Sequence, residues 1–547
     1  MDERGDVSDD PAMQKTVCVV GAGAAGIASV KACVQDGHRV TCYEQHDVLG
    51  GYWRYTEKKL DLHHEASCHF THLASHNKES ECFSDYLFPE SSAAYVSHQR
   101  IHDYLTEYAE TFDILKYIHC NTRVVEVKKA DDYEVTGRWK VSVKAKGGAI
   151  MERVFDAVIV ASGFYRRTHV SEYPGREKFR GKLMTMSEFR RGKVFHGESV
   201  LVIGNGVTAA DIATEAAQEA KKVYLSVGDG ALVYPRYTEK DEPSDFLFTR
   251  YFFNWISWNR QNQILEETCA KNLDQPGSKH GTHLDRCPLM LSDFIPKYIN
   301  NQQLVVKGHV DRFEDRHHVK FKDGTTVGPI DHVVMACGYH HEFNFLEKEL
   351  VPANLKEWRL YKQVWPVALP HATLALVGCL DVKGPIFPVY ELQARWVSRV
   401  IRGQCLLPPV SEMVEDIQRY HRTYGTTYWE MYKLFIPSLT YCDEIADLIG
   451  CKPSLWRHLV TDPAVGWALL NQPLFPAQYR LVGPGALEQA RDTFLGARDR
   501  VVVAAKRRQR SISMAVARHP SRYSGPVVLA LALLLLSSFI TLYLSFF

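Results

Sequence analysis

Five small residues near the N-terminus have the types and spacing of a dinucleotide-binding loop. Gly21, Gly23 and Gly26 follow a β-branched run, and Ala24 and Ala25 lie between the last two glycines. In such a loop the first glycine allows a tight turn, and the second lets the backbone approach a pyrophosphate. The third lets the following helix pack closely on the strand, so that the helix N-terminus faces the phosphates. The loop therefore predicts a bound dinucleotide.

An acid ends the second predicted strand of the same unit. Residues 39–43 form that strand, and Glu44 follows it directly. A carboxylate at this place holds a ribose 2′-hydroxyl and repels a 2′-phosphate. Because Gly51, Tyr52 and Trp53 come soon afterwards, we interpret this first site as one for FAD.

A second glycine fingerprint follows the buried strand predicted for residues 199–203. Gly204 and Gly206 stand in the first two glycine positions, and Ala209 stands in the third, where only close packing is needed. Two dinucleotide sites in one chain indicate that a nicotinamide passes hydride to a flavin. We therefore assign the second site to the nicotinamide nucleotide.

Composition narrows the remaining classes of function. The chain has 547 residues, enough for two or three domains, and a formal net charge of +1, which gives no reason to expect a nucleic-acid partner. Its 13 cysteines are scattered without a CxxC pair, which indicates reduced thiols in the cytosol. The 24 histidines show no convincing ligand spacing, so the sequence predicts no metal site.

The last residues form a long apolar segment. Residues 526–547 are uncharged and long enough to cross a bilayer as a helix, and basic residues stand before them between positions 506 and 522. The positive-inside rule keeps those basic residues cytosolic. We expect a tail anchor in the endoplasmic reticulum membrane, with monotopic insertion as the alternative.

The order and spacing of several motifs resemble those of the flavin-containing monooxygenases of vertebrate type. They are GAGAAG at 21–26, LGGYW at 49–53, GNGVTAADIA at 204–213, ACGY at 336–339, ELQARW at 391–396 and RLVGPG at 480–485. The resemblance runs from about residue 13 to the apolar tail. It adds Thr208, Asp211 and Ser226 to the residues expected at the nicotinamide site.

The resemblance implies a fold with defined parts. We expect an α/β protein with two Rossmann-like dinucleotide-binding domains, the FAD domain being interrupted by the NADP domain, and a C-terminal transmembrane helix. The expected division is a disordered acidic extension (1–12), the FAD domain (13–168 and 331–450), the NADP domain with an insertion (169–330), a C-terminal region with a basic linker (451–525) and the membrane anchor (526–547).

The resemblance also implies a reaction. NADPH reduces FAD, and the reduced flavin adds O2 to give a 4a-hydroperoxyflavin. That species oxygenates soft nucleophiles, giving N-oxides of amines or S-oxides of sulfides. The implied partners are small apolar xenobiotics, O2, the lipid bilayer and a second copy of the chain in a homodimer. The chemistry needs a dry pocket with hydrogen-bond donors more than it needs acid–base side chains.

The chain departs from the family pattern beside the flavin. The family has an asparagine that contacts both flavin and nicotinamide, and Ser75 stands at that position, followed by His76 and Asn77. A serine donates one hydrogen bond but cannot supply an amide's pair. Asn77 is the alternative residue, if the loop shifts by one or two positions. Ser75 and Asn77 are therefore the candidates for the catalytic contact, and Ser75 and His76 are also expected to contact the cofactors.

Two further departures concern the nicotinamide side. Thr185 replaces a family histidine in the linker, which is expected to slow the cycle without abolishing it. The family arginine that grips the 2′-phosphate of NADPH is missing after Ser226, and Asp229 stands nearby. An acid there favours a free 2′-hydroxyl. We therefore predict a weakened preference for NADPH over NADH.

Other functions remain open on the sequence. Baeyer–Villiger insertion into ketones uses the same oxygenated flavin. An uncoupled NAD(P)H oxidase would result if the Ser75 region fails to protect that species. A catalytically impaired membrane flavoprotein is the third alternative. The substrate is not readable, because the aromatic stretch 243–292 either lines an entry or forms core, and we favour core.

Overall fold

The computed structural model describes most of the chain. The described residues are 14–57, 68–165, 167–270, 289–341, 343–347, 350, 357, 359–426, 433–434 and 436–518. The predicted acidic extension (1–12) and membrane anchor (526–547) lie outside them. In this part of the chain, no helix combines the length and apolar composition that crossing a bilayer requires.

The first sheet consists of five parallel strands that surround the first glycine loop. In spatial order they are Leu374–Leu376, Ala157–Val160, Thr16–Val20, Arg39–Tyr43 and Ile118–His119. The central strand, Thr16–Val20, is almost wholly buried and apolar, as expected for a parallel strand covered on both faces. The carboxyl ends of these strands lie at one edge, where doubly wound folds bind ligands.

The second sheet also consists of five parallel strands. In spatial order they are Leu304–Lys307, Lys222–Ser226, Ser199–Ile203, His332–Met335 and Lys182–Thr185. The two sheets make this a mixed α/β fold.

One domain boundary differs from the sequence-based division. His332–Met335 pairs with Ser199–Ile203 and with Lys182–Thr185, so it belongs to the second sheet. The prediction that the FAD domain resumes at residue 331 is therefore wrong. The next strand to join the first sheet is Leu374–Leu376. Both sheets use short apolar strands, so composition alone does not say which sheet receives one.

Smaller sheets, thirteen α-helices and several short 3₁₀ helices complete the described part of the chain. The three-stranded sheets are antiparallel: Thr122–Lys129 with Trp139–Ala145 and Ile150–Phe155, and Val310–Phe313 with Val319–Phe321 and Thr326–Val327. The two-stranded pairs are Arg167–Thr168 with Tyr339–His340, Leu232–Tyr234 with Leu289–Leu291, Leu360–Tyr361 with Trp365–Pro366, Val382–Lys383 with Ile436–Pro437, and Gly425–Thr426 with Lys433–Leu434. The helices are Ala24–Gln35, His98–Thr111, Tyr133–Thr136, Val207–Glu219, Arg250–Trp255, Trp258–Ala270, Ile295–Asn300, Phe387–Ile401, Val410–Tyr424, Ser438–Ile449, Leu455–Thr461, Pro463–Asn471 and Ala490–Arg518.

A late helix closes the core of the first domain. Phe387–Ile401 packs along Ala24–Gln35, the helix that follows the first glycine loop. Its Ser398 hydroxyl donates to the Ala32 carbonyl at 3.2 Å, and both helices contribute buried side chains to the same hydrophobic core. Residues far apart in sequence thereby hold the helix after the first glycine loop in place.

Candidate functional site

One large cavity reaches both glycine loops. Its volume is about 1170 Å³, and its walls come from the carboxyl edges of both sheets. The predicted site residues that line it are Gly21, Gly23, Ala24, Ala25, Glu44, Gly51, Tyr52, Trp53, Ser75, His76, Gly206, Thr208 and Ala209. The structure therefore brings the two predicted nucleotide sites into one continuous space.

The first loop is shaped to receive an anion. Gly21 has φ +99° and donates its N–H to the Tyr43 carbonyl at 2.8 Å, which fixes the turn. Gly23 is the N-cap of Ala24–Gln35 and provides no capping side chain, so the first N–H groups of that helix are left for a ligand. A Cβ on Gly23 would meet only the Cα of Gly51, at 3.6 Å. These features fit the pyrophosphate of FAD.

Glu44 is buried at the end of its strand. Its Oε2 accepts the Ala22 N–H at 2.7 Å, and its Oε1 accepts the His46 N–H at 2.9 Å. A carboxylate has about four acceptor positions, and the His46 imidazole also lies 3.4 Å from Oε1, so acceptor capacity remains for a ribose hydroxyl. Glu44 can therefore order the loop and hold a ribose at the same time.

The second loop repeats this arrangement. Gly204 donates its N–H to the Ser226 carbonyl at 3.0 Å, and a Cβ there would lie 2.3 Å from the Ala336 carbonyl oxygen. Gly206 is the N-cap of Val207–Glu219, again without a capping side chain, and a Cβ there would meet no atom within 4 Å. Open space at the helix N-terminus fits a second pyrophosphate.

Four predicted cofactor-binding residues lie behind the lining. Gly26 faces the first loop, where a Cβ would come within 1.9 Å of the Gly21 carbonyl oxygen. Gly204 makes the second tight turn, and the Ser226 hydroxyl donates to the Gly308 carbonyl at 2.7 Å. Asp211 contacts two histidines. These residues shape the site without bordering the cavity.

Asn77 does not line the cavity, so the structure does not support the alternative in which a shifted loop brings Asn77 to the cofactors in place of Ser75. Its side chain is fully buried, and its amide nitrogen donates to Ser80 Oγ at 3.0 Å and to Asp245 Oδ2 at 2.9 Å. Its amide oxygen accepts the N–H groups of Glu79 and Ser80, each at 3.1 Å. All of these bonds stabilise the turn that follows Ser75, and none is free for a cofactor.

Asp245 is a cavity residue that sequence reasoning missed. It lines the wall near Ser75 and His76, and its Oδ2 also accepts the Asn77 N–H at 2.8 Å. Burial raises the pKa of Asp245, an effect partly opposed by His76, Asn77 and Tyr95. Asp245 comes from a distant segment, 168 positions from Asn77, so no local spacing could have indicated it.

One wall of the cavity is aromatic and aliphatic. It includes Phe248, Phe252, Phe253, Trp258, Leu265 and Leu291. The favoured prediction that the 243–292 aromatics form core is correct for Phe252, which is 2% exposed, and wrong for Trp255 and Trp258, which are about half exposed. An apolar wall of this kind excludes water and suits apolar ligands.

Asp211 lies in a buried cluster between the two domains. Its Oδ2 is 3.2 Å from His72 Nδ1 and 3.4 Å from His69 Nε2. Burial alone would lower the pKa of His69, but hydrogen bonding to Asp211 and Glu215 and their negative charges raise it to about 9. Burial lowers the pKa of His72. Burial would raise the pKa of Asp211, but the two imidazoles lower it.

An aspartate and a histidine form a contact just after the ribose-reading strand. Asp229 Oδ1 lies 2.9 Å from His309 Nε2, and both side chains are exposed. Thr185, at the end of its own strand, donates its hydroxyl to Glu188 Oε2 at 3.0 Å. Neither Asp229 nor Thr185 lines the cavity.

Comparison with known proteins agrees with this site. A family model described as flavin-binding monooxygenase-like matches residues 14–543. The human protein named dimethylaniline monooxygenase [N-oxide-forming] 4 is 34% identical over 537 residues, covering 96% of each chain. Human flavin-containing monooxygenase 5 is 34% identical over 500 residues, covering 89% of this chain and 92% of the relative.

Solved structures agree on the fold. An S-allyl-L-cysteine S-oxygenase from Allium sativum superimposes with a TM-score of 0.63 at 23% identity, over 88% of this chain and 98% of the other. A cyclohexanone monooxygenase superimposes with a TM-score of 0.57 at 15% identity, over 80% and 98%. At such identities the likeness concerns architecture alone. The family model and the relatives extend along nearly the whole sequence, however, and by this measure the chain belongs to the flavin-containing monooxygenase family.

Proposed function

We propose that this chain transfers one oxygen atom from O2 to the nitrogen or sulfur of small apolar nucleophiles, with FAD and NADPH as cofactors. The family is one of flavin-dependent monooxygenases, and its cofactors are FAD and NADPH. One observation carries the proposal: a single cavity of about 1170 Å³ contacts both glycine loops and continues along an apolar wall. Two nucleotides and an apolar substrate therefore have a common space.

Each part of the cavity has a role in this proposal. The uncapped N-termini at Gly23 and Gly206 bind the two pyrophosphates. Glu44 holds the flavin's ribose. Once reduced, bound flavin supplies the activation of O2. The wall at Phe248 and Phe252 keeps water out and accepts an apolar substrate. Ser75 offers one hydroxyl donor to the cavity that both glycine loops line.

A product balance tests the proposal. The full chain, loaded with FAD in detergent, is mixed with NADPH, O2 and a tertiary amine or a thioether, and NADPH consumed, N- or S-oxide formed and H2O2 released are all measured. We expect oxide to account for most of the NADPH. A ketone in place of the thioether distinguishes Baeyer–Villiger insertion, which would give an ester. Absence of both the N-oxide and the S-oxide would contradict the proposal.

A second function has one specific observation in its favour. Ser75 lines the cavity where the family resemblance implies an amide, and Asn77 is committed elsewhere. With a weaker donor set beside the flavin, oxygen chemistry can end in H2O2, which makes an NAD(P)H oxidase the alternative. In the same product balance, H2O2 equal to the NADPH consumed would identify it. If neither NADPH nor NADH reduces the bound flavin, the result would instead indicate a catalytically impaired flavoprotein.

The proposed location is the endoplasmic reticulum membrane, with residues 526–547 inserted and the catalytic part in the cytosol. Exposed aromatic side chains at Tyr251, Trp255, Trp258 and Trp467 support contact with lipid, since aromatic residues favour the membrane interface. Cell fractionation of the full chain and of a chain ending at residue 525 tests this. Loss of the microsomal fraction on truncation is expected. A homodimer, implied by the resemblance, stays a prediction for light scattering.

A further inference from the structure

Three potential metal ligands meet at the boundary between the two domains. His69 and His72 come from the loop that leads to Ser75, and Asp211 comes from the nucleotide helix Val207–Glu219. Their ligand atoms all lie within 4.8 Å of one another. His69 is 4% exposed and His72 is 8% exposed, so the cluster is buried. These residues take no direct part in the function proposed above.

The spacing matches a tetrahedral metal site. Metal–ligand bonds of about 2.0–2.1 Å place neighbouring ligand atoms about 3.3 Å apart in a tetrahedron. The distance from Asp211 Oδ2 to His72 Nδ1 is 3.2 Å, and that to His69 Nε2 is 3.4 Å. Two of the three edges of such a site therefore already have the required length.

The next layer of contacts orients His69 as a ligand. Its Nδ1 lies 3.7 Å from Glu215 Oε2 and 3.3 Å from Thr71 Oγ1, which itself donates to Glu215 at 2.6 Å. A carboxylate on the far nitrogen is the usual partner of a metal-bound histidine. His69 Nε2 is buried, and its 3.4 Å contact with Asp211 Oδ2 is too long for a strong hydrogen bond.

We propose that His69, His72 and Asp211 bind a divalent cation of the zinc class, which joins the Ser75 loop to the nicotinamide-nucleotide helix. Two histidines and one carboxylate are a common set of three protein ligands for zinc, with a fourth position left open. His72 also borders the main cavity, which provides a path of entry. The cation fixes the two domains relative to each other and needs no part in the oxygen chemistry.

A neighbouring cation limits the affinity. Arg236 Nη2 lies 3.9 Å from Oδ1 of Asp211, the oxygen that faces away from the two histidines. The guanidinium weakens metal binding by charge repulsion but leaves Oδ2 available. A proton on His69 competes with the metal for the same place. When His69 carries that proton, its positive charge and that of Arg236 balance the negative charges of Asp211 and Glu215. The experiment must distinguish a metal from that proton.

Metal content of the whole flavoprotein tests the site. The full FAD-loaded chain is treated with a chelator, freed of it, exposed to Zn2+ and passed through a gel-filtration column, and bound zinc is measured per chain. We expect about one zinc more in the native chain than in His69→Gln or His72→Gln, as a three-ligand site requires. His318→Gln is the matched control, because His318 forms an exposed pair with Asp315 and should keep the zinc.

Two results would overturn the proposal. One is equal zinc in the native chain and in His69→Gln, which would mean that the proton occupies the cluster. The second measurement needs no variant and so applies even if the variants do not fold. Zn2+ added to the chelator-treated native chain should raise its unfolding temperature, because a ligand that binds only the folded state stabilises it. An unchanged unfolding temperature contradicts a site between the domains. Neither measurement depends on oxygenation, so this proposal and the proposed function fail separately.

Discussion

The Glu44 carboxylate accepts the backbone N–H of Ala22 at 2.7 Å. This bond joins the end of the second strand to the first glycine loop, and a second bond to the His46 N–H holds the carboxylate in place at 2.9 Å. The acid that would bind the FAD ribose is thus also the side chain that orders the pyrophosphate loop. Loss of this carboxylate should affect both contacts together.

We predict that Glu44→Ala weakens FAD binding by about 10- to 100-fold, the size expected for losing hydrogen bonds to a charged group. The FAD affinity of Glu44→Gln should lie between those of the native chain and Glu44→Ala, because the amide oxygen can still accept the Ala22 N–H. FAD titration of the apoprotein, followed by fluorescence, measures this. Asp47→Ala is the matched control, since Asp47 is a nearby acid whose side chain is 69% exposed. Native affinity in Glu44→Ala would remove Glu44 from the site.

The two glycine loops should respond differently to a single methyl group. In Gly206→Ala the Cβ meets no atom within 4 Å, so we expect an intact fold and normal FAD content. The methyl group stands where the pyrophosphate approaches, so KM for NADPH should rise at least about tenfold. In Gly26→Ala the Cβ would lie 1.9 Å from the Gly21 carbonyl oxygen, and FAD should be lost. An unchanged KM for NADPH in Gly206→Ala would contradict the assignment of this loop to the nicotinamide nucleotide. Gly148→Ala is the control and should keep the native KM.

The sequence predicted those parts of the fold that depend on local patterns. The strands Thr16–Val20 and Ser199–Ile203, with the helices after them, follow from buried β-branched runs and glycine spacing. The domain division places residues 332–335 in the FAD domain, whereas the strand His332–Met335 pairs within the second sheet. Its partners lie far away in the chain, and an apolar run of four residues carries no information about them.

The candidate site shows the same division. The glycines that shape the two loops were predictable, because the tight turns and close approaches there favour glycine. The position of the Asn77 side chain was not predictable, because its amide donates a hydrogen bond to Asp245, which is 168 positions away in the chain. The His72–Asp211 contact joins residues 139 positions apart, so no ligand spacing appears in the sequence. Long-range side-chain contacts decide both cases.

Replacing Ser75 with asparagine should improve coupling. Ser75 lines the cavity, and the family resemblance implies an amide there, with two donors and an acceptor where serine has one hydroxyl. We expect Ser75→Asn to lower the H2O2 released per NADPH several-fold, at unchanged FAD content. Peroxide and NADPH assays on one sample measure the ratio. Ser91→Asn, at an exposed serine, controls for the substitution itself. An equal peroxide ratio in Ser75→Asn would show that the amide is not what the native chain lacks.

Val227→Arg should restore a preference for NADPH. Val227 directly follows Ser226 and stands at the position where the family resemblance implies an arginine. Two residues later, the Asp229 carboxylate lies 2.9 Å from His309 Nε2. We expect the native chain to discriminate weakly between NADPH and NADH in flavin reduction. A guanidinium that pairs with the 2′-phosphate should raise that ratio about tenfold or more. Val227→Met adds length without charge and should leave it unchanged. Strong NADPH preference in the native chain would contradict this reading of Asp229.

Glu391 lies in a buried charge network beneath the first domain. It is 4% exposed, accepts the Ser84 N–H at 2.7 Å and accepts Arg480 Nη2 at 2.7 Å. Burial alone would raise its pKa, but the positive charges of Arg480, Arg395 and Lys31 lower it to about 2. A carboxyl group with a lowered pKa contributes stability above its unfolded pKa, and that contribution is lost as the pH falls through the folded value.

We therefore predict that Glu391→Gln destabilises the protein by about 3 kcal/mol near neutral pH, because the buried guanidinium of Arg480 loses one of its carboxylate partners and keeps Asp85. The difference between native and variant should shrink as the pH falls from about 4.5 toward 2, since the native carboxyl is then protonated as well. Urea unfolding at several pH values, followed by flavin fluorescence and far-UV circular dichroism, measures it. Glu412→Gln, at an exposed acid, should behave like the native chain. A difference that stays constant across this pH range would mean that the shape of the glutamate side chain, and not its charge, stabilises the network.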